Sequence, residues 1–494
     1  MAEAVARKNF FLDLSLLGLI LVVLASLTLL APPIGSHGEA REGLVIQEIV
    51  ASSNWILPYR NGKLPSKPPL FHWMAAGLEP LFGLSDATIR LPSAIAGWLF
   101  ALVTFLLGRE IGGRRTAWLA IGALLGTYEF WAAGTEARVD MVFAASVAAS
   151  IAGFFFWYRS PDGFGSTLCY LAAASAVLAK GPAGIALPAA VAVGFLAAER
   201  RLDALRRFWS WPLAGSVLLI VLGWYALSTE IGGTEFLVKQ ILRENINRFF
   251  GTGGFSTQRE RFAMAGWFAT RLFPWNLVLI WALVRRLRGE REDSSGRFLH
   301  AWWIAIFAIF ALSAGRRAVY LLPAYPAVAL LAGRAIAAAI EGPRAARNPP
   351  GEREGGLFFR WRVGPDAAMR LIIATVILDV GQVVANPVIR AYQHREERTA
   401  QVSFAEEVRA AVPRGASLFA DSSFPETNLL VTSYRLRREI GRRPMGCTGQ
   451  DYYFLSVIGP ENPPQEAYEV LAAMESGRGS LVLMLVPQEM VCGR

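Results

Sequence analysis

The chain has 494 residues, of which 54% are hydrophobic and only 18% charged, and its mean hydropathy is positive. Stretches of about eighteen or more apolar residues recur over most of the first 385 positions, which excludes a soluble multidomain protein and indicates a polytopic membrane protein. The formal charge of +10 is not a nucleic-acid footprint, because the arginines fall mostly in short loops between apolar runs, the positive-inside pattern.

The first apolar run, 10–31, can cross a bilayer core and lacks a small-residue cleavage site, so it reads as a retained helix. Arg7 and Lys8 ahead of it put the N-terminus in the cytoplasm. The clusters Arg109/Arg114/Arg115, Arg200/Arg201/Arg206/Arg207, Arg285/Arg286/Arg288 and the basic stretch 344–362 share that side. A polar island follows, His37 to Trp73, inside an outer loop of residues 35–90. Two interfacial amphipathic helices are expected in it. One spans Gly43 to Ser52; the other starts at Lys67-Pro68-Pro69, with proline where a first helical turn tolerates it. Such helices lying on a bilayer can frame a groove open to lipid.

The pattern predicts about eleven spans, near 10–31, 91–108, 117–134, 141–158, 166–180, 182–198, 211–228, 266–284, 298–314, 319–340 and 367–386. Lys180-Gly181-Pro182 reads as a short loop rather than a kink. Residues 229–265 form a second outer loop, and 343–358 a flexible cytoplasmic linker. An odd number of spans puts the tail outside, so the chain divides into a membrane domain, 1–387, and an outer domain, 388–494. In the tail, FAEEVRAAVP and EAYEVLAAMESG look helical and SLFADSS, YYFLSVIG and GSLVLMLVP look like strands, a small α/β domain. No repeat of fixed period is present. Cys169 reads as a packing residue. Cys447 and Cys492 both fall in the tail, where a bridge and two separate thiols are both open.

Ionisable residues at span ends are functional candidates, because burial there is costly. Glu39, flanked by His37 and Arg41, can accept a proton or bind a sugar hydroxyl; a solvated acid near a helix start is the alternative. Lys67 suits a lipid phosphate, or simply snorkels. Glu136-Ala137-Arg138-Val139-Asp140 places three charges in five residues at a tight hairpin, as a site or as an internal ion pair. Lys180, Arg248, Arg316 and Arg317 form a cationic set, and the Arg316-Arg317 pair defies the positive-inside bias unless an anion compensates it or the topology differs. Together they make an outward-facing, cation-rich site, suited to a phosphate-linked substrate carried on lipid. A multispan lipid or solute transporter or flippase without transferase activity, and a non-catalytic scaffold, are the rival classes.

Several short motifs occur in order: Gly38-Glu39-Ala40-Arg41-Glu42, Ser53-Asn54-Trp55-Ile56-Leu57-Pro58, Ser66-Lys67-Pro68-Pro69, Arg138-Val139-Asp140, Leu178-Ala179-Lys180-Gly181-Pro182, Arg243-Glu244-Asn245-Ile246-Asn247-Arg248-Phe249, Phe273-Pro274-Trp275, and Gly315-Arg316-Arg317 with Tyr320-Leu321-Leu322-Pro323. In that order the chain resembles the GT-C membrane glycosyltransferases of the protein-mannosyltransferase group, most nearly the bacterial lipid A aminoarabinose transferases. The resemblance covers roughly 10–340. It implies an inverting transfer of a sugar from a polyprenyl-phosphate carrier to a lipid, glycan or protein on the outer face of the bacterial inner membrane. On that resemblance Lys67, Arg316, Lys180, Arg248 and Tyr320 hold the donor phosphate and Glu39 or Asp140 is the acceptor-side acid or base. Arg41, Arg138 and Glu244 contact donor or acceptor. The chain departs where the family has Asp (Gly38), Glu (Ser66), His (Asn245) and Tyr (Glu42). The second and third departures argue against a divalent metal site, and all of them against strict aminoarabinose transfer. Glu39, Lys67, Asp140 and Arg316 are expected to converge on one outer cavity.

Overall fold

The computed structural model describes residues 2–60, 62–252, 262–287, 292–341, 395–442, 451–458, 469–476 and 479–487. The expected span at 367–386, the 343–358 linker and both tail cysteines lie outside the described residues. Among those described, seven helices are long and apolar enough to cross a membrane, and Ala183–Ala198 is a shorter apolar helix.

Four departures from the expected spans have local causes. The tract Asp86–Leu125 holds two spans in one continuous run, broken at Gly112 and Gly113. Gly113 adopts φ +78°, which L side chains avoid, and the two halves then fold back so tightly that a Cβ on Gly108 would lie 2.6 Å from the Ala117 Cα. Near that turn Arg114 and the Trp118 indole both donate to Asp13 in the first helix, Ala2–Leu30. The expected 266–284 span is instead two shorter helices, Ala263–Arg271 and Trp275–Leu287, parted at Pro274, which cannot continue a helix that needs its N–H. The expected 229–265 loop is helical as far as 250: Trp211–Leu237 runs into a π-helix, Val238–Asn247, and a last turn, Arg248–Phe250. Its sequence VKQILRENIN is strongly two-faced, and π-helical turns, which are rare, are frequent at functional sites. Finally, Ala318–Ala324 is a 3-10 turn with Pro323 inside it, ahead of Tyr325–Glu341.

Both interfacial helices are present, with earlier and later starts than expected. His37–Ser52 begins six residues upstream of Gly43 because Ser36 caps it, its Oγ accepting from the Glu39 N–H. Leu70–Phe82 begins just after Pro68-Pro69. The helices Val139–Arg159 and Gly163–Lys180 form a close hairpin, and Gly181 at φ +94° turns the chain into Ala183–Ala198. The core between the spans is mostly apolar and rich in aromatics, with Phe155 and Phe298 stacked 4.2 Å apart. Between helices already surrounded by lipid, such close packing rather than hydrophobic expulsion holds the bundle together.

The tail carries a five-stranded sheet: β1 (Leu418–Ala420), β2 (Gly441–Arg442), β3 (Tyr452–Ile458), β4 (Glu469–Ser476) and β5 (Gly479–Val486), in the order β2-β1-β3-β5-β4. β1 runs parallel to β2 and β3, while β5 is antiparallel to β3 and β4. The segment expected as a second helix, EAYEVLAAMESG, supplies β4. Its alanines and glutamates favour helix, but the ladder to β5 from Glu469↔Leu485 to Ser476↔Gly479 outweighs local preference. Helix Arg395–Ala411 and helix Glu426–Leu436 pack beside the sheet over a separate core that includes Phe404, Val408, Leu429 and Leu483.

The tail meets the membrane part in several places, and one polar cluster centres on Asp86. Asp86 accepts from the Tyr434 hydroxyl (2.7 Å), Arg435 (2.8 Å) and the Ile34 N–H (2.8 Å), while Gln47 donates to the Tyr434 carbonyl. Asp86→Ala leaves three donors without their acceptor, at roughly 1–3 kcal/mol each if they stay buried. We expect limited proteolysis of that variant to release the 395–487 region faster than the parent while the helical part stays intact; equal cleavage rates would show the cluster to be incidental.

Candidate active site

Two cavities lie side by side. The smaller, about 100 Å³, is lined by Lys67, Phe143, Lys180, Glu244, Arg248 and Tyr320 among others. The larger, about 530 Å³, is lined by His37, Gly38, Arg41, Glu136, Arg138, Asp140, Arg271 and Arg317 among others. They share one wall, because Asp140 of the larger accepts a 2.5 Å hydrogen bond from Lys180 of the smaller.

The small cavity is a cage of cations. Lys67 precedes the 70–82 helix and its Nζ donates to Glu244 at 3.0 Å; Arg248, one turn beyond, reaches the same carboxylate oxygen at 3.2 Å. The π-helix sets that geometry: Lys239 donates to the Leu64 carbonyl and Gln240 to the Pro65 carbonyl, clamping the loop that ends in Lys67. Burial lowers the Lys67 ammonium from its ordinary value and Arg248 adds to this, with Glu244 opposing. Lys180 ends the 163–180 helix and sits 4.4 Å from the centre of the Tyr320 ring. One carboxylate shared by cations that crowd a small cavity leaves room for an anion of phosphate character.

The large cavity mixes charges. Arg138 pairs with Asp140 at 3.3 Å, and a Cβ on Gly38 would lie 3.1 Å from the Arg138 Nη1, so the guanidinium packs directly against this glycine. Arg271 pairs with Glu129 at 3.5 Å and lies over the Tyr128 ring. Glu136 lines the wall, and among the described residues no side-chain hydrogen bond or ion pair engages its carboxyl group. Burial, helped by the nearby Glu39 carboxylate, pushes Glu136 up to about 7, against the pull of Arg138 and Arg398.

The structure therefore brings together Lys67, Lys180, Arg248, Tyr320 and Glu244 around one cavity, and Arg41, Arg138 and Asp140 around the other. Glu39 and Arg316 line neither. Glu39 is 1% exposed, and both its oxygens face Arg90, at 2.7 and 3.0 Å, with the Ala137 N–H at 3.1 Å. Burial alone would raise it, but the Arg90 charge and these hydrogen bonds hold it below its ordinary value. The Arg316 guanidinium donates to the Ala311 carbonyl, and Arg317 rather than Arg316 reaches the large cavity. The expected single convergence of Glu39, Lys67, Asp140 and Arg316 is thus replaced by two cavities that meet at Asp140 and Lys180.

Sequence reasoning missed Arg90, Glu129, Arg271 and the pairing of Glu42 with His72 (2.8 Å) and Arg41. Their signals were weak, since each is a single charge whose partner is distant in sequence or, like Glu42, stood out only as a departure from a motif. Among the described residues no group of three or more His, Cys, Asp or Glu side chains is placed to hold a metal ion.

The backbone as a whole is that of the GT-C membrane glycosyltransferases. Solved structures with this fold include ArnT from Cupriavidus metallidurans bound to undecaprenyl phosphate (TM-score 0.77, 18% identity, 99% of this chain and 100% of that one). They also include the Archaeoglobus fulgidus oligosaccharyltransferase AglB in complex with an inhibitory peptide and a dolichol-phosphate (TM-score 0.55, 15% identity, 92% and 70%). The family model described as dolichyl-phosphate-mannose-protein mannosyltransferase matches residues 66–225. Curated relatives include the undecaprenyl phosphate-alpha-4-amino-4-deoxy-L-arabinose arabinosyl transferase of Shewanella sediminis, 28% identical over 316 residues, 62% of this chain and 56% of that protein. An uncharacterized protein of Aquifex aeolicus is 27% identical over 289 residues, 58% and 56%. The chain thus spans little more than half the length of these curated relatives. The shared fold, the partial family-model match and the relatives all point to the same group that its ordered motifs resemble.

Proposed function

We propose that the protein is an inverting glycosyltransferase that moves a sugar from a polyprenyl-phosphate carrier to an acceptor on the outer face of the bacterial inner membrane. The observation that carries this reading is the shared wall at Asp140 and Lys180: an anion-sized cationic cage on one side, a wider polar cavity on the other. The donor phosphate sits in the small cavity among Lys67, Lys180, Arg248 and Tyr320. As the bond from the sugar C1 to the phosphate oxygen breaks, charge grows on that oxygen, and preorganised cations in a poorly solvated site stabilise it. The acceptor enters the large cavity, where Arg41 and Arg138 contact it and Asp140, held by Lys180 and Arg138, fixes the relation between the two halves. Glu244 keeps Lys67 and Arg248 poised until the phosphate replaces it.

The undecaprenyl-phosphate sugar named for the relatives, and the undecaprenyl phosphate and dolichol-phosphate bound in the solved structures, support a polyprenyl carrier here. The interfacial helices 37–52 and 70–82 flank the site, in keeping with a donor that arrives from the bilayer.

The direct test is mass spectrometry of membrane glycolipids and glycoproteins from cells with and without the gene. We expect one sugar-bearing species to vanish and its polyprenyl-phosphate sugar to accumulate; identical profiles would contradict transfer. In purified protein, Lys67→Ala should lower transfer at least about ten-fold, on the order of one lost charge-assisted contact. Arg316→Ala, outside both cavities, should leave transfer within a few-fold of the parent.

A further inference from the structure

We infer that Glu136 is the catalytic base of the acceptor cavity, and hence that the acceptor is a hydroxyl rather than a phosphate oxygen. The inference rests on the transferase reading above and deepens it. Glu129, Glu136 and Asp140 line the cavity and Glu39 stands beside it, and the structure separates their tasks. Glu129 is paired with Arg271 at 3.5 Å. Glu39 is walled off by Arg90 and the Ala137 N–H, with no oxygen free to face an acceptor. Asp140 has both oxygens engaged, one by Lys180 and one by Arg138. Glu136 alone among them lines the cavity with its carboxyl group unengaged by any described side chain.

Position supports the assignment. Glu136 ends the 128–135 helix as its C-cap in extended conformation, four residues before Asp140 on the same hairpin. The Arg138 guanidinium lies close against Gly38 and pairs with Asp140, and neither contact engages the Glu136 carboxyl group. A phosphate acceptor is already ionised at neutral pH and needs no base, whereas a hydroxyl must lose its proton as it attacks. The balance is simple. The Glu136 carboxylate takes the hydroxyl proton, the acceptor oxygen forms the new bond to C1, and the C1–O bond to phosphate breaks with its electron pair, leaving polyprenyl phosphate among Lys67, Lys180 and Arg248.

The charges facing Glu136 are Glu39 from the 37–52 helix, Glu129 from the 128–135 helix, Arg138 from its own hairpin and Arg398 from the 395–411 helix. His37, Arg41, Asp140, Arg271 and Arg317 line the same cavity. With the acid pushed up to about 7, the base form predominates only above neutrality, so the rate should rise with pH through that region and then level.

The experiment uses purified full-length protein and an undecaprenyl-phosphate-linked sugar, with water or azide as nucleophile, and reads release of undecaprenyl phosphate. Azide carries no proton to remove, so it bypasses a base. We expect Glu136→Gln to slow release to water at least about 10²-fold, to lose the rise near pH 7, and to keep azide-driven release within about three-fold of the parent. Lys67→Ala should slow both. Loss of both reactions in Glu136→Gln, or an unchanged pH profile, would overturn the role of Glu136 while leaving transfer itself standing. If the parent releases nothing with either nucleophile and does not bind undecaprenyl phosphate, the transferase reading falls and this inference with it.

Discussion

Lys180→Ala is expected to suppress sugar transfer by about 10²–10³-fold, the loss seen when one preorganised charge stabiliser is removed from a transition state. The residue has two tasks that no neighbour duplicates. It lines the small cavity beneath Tyr320, where the leaving phosphate would lie, and it donates to Asp140 in the wall of the large one. Without it Asp140 keeps only Arg138, and donor and acceptor halves lose their common support. The check is single-turnover release of undecaprenyl phosphate in detergent or nanodiscs, alongside the thermal midpoint. Lys180 ends a helix and is only partly buried, so the fold should survive. Activity within three-fold of the parent would remove the shared wall from the chemistry.

Arg90→Met should have the largest effect on stability. Arg90 and Glu39 are 2% and 1% exposed, and the pair is completed by the Pro32 carbonyl and the Ala137 N–H. Replacing one member leaves a buried charge uncompensated, at about 3–5 kcal/mol, whereas replacing both by apolar groups can be nearly neutral. We therefore expect Arg90→Met to lower the thermal midpoint sharply and Arg90→Met with Glu39→Leu to recover most of it. The pairing also sets a pH dependence. Glu39 is held below its ordinary value, so its contribution is present above the unfolded pKa and is lost as pH falls through the folded one. Glu136 runs the opposite way: raised to about 7, it keeps its proton longer when folded, so its presence erodes stability as pH rises from about 4.5 to 7. Glu136→Gln should thus be more stable than the parent at pH 8 and little changed at pH 4. A midpoint that moves equally at both would mean the group is not perturbed by its surroundings.

Much of the fold was legible because its signals are local. Runs of apolar residues gave the spans, and the ordered motifs around Lys67, Asp140, Lys180, Glu244, Arg248 and Tyr320 named residues that the structure gathers about two adjoining cavities. What was not legible depends on distant partners. Glu39 looked like a mouth acid because Arg90, 51 residues away, stood at the edge of an apparently uniform span. Arg316 and Arg317 are adjacent, and only the backbone between the 294–312 helix and the 3-10 turn decides which one faces the cavity. The π-helix at 238–247 lay in a segment too polar to read as span, and β4 in one whose residues favour helix until β5 is beside it.

The central claim is that a polyprenyl phosphate head group occupies the cage formed by Lys67, Lys180, Arg248 and Tyr320. Photo-crosslinking with an undecaprenyl phosphate analogue, carrying a diazirine next to the phosphate, tests it directly. Adducts are expected in the segments 64–70, 178–183, 244–249 and 313–320, competed away by unlabelled undecaprenyl phosphate and lost in Lys67→Ala. Adducts confined to the lipid-facing side of the 211–237 helix, or labelling indifferent to competitor, would contradict it.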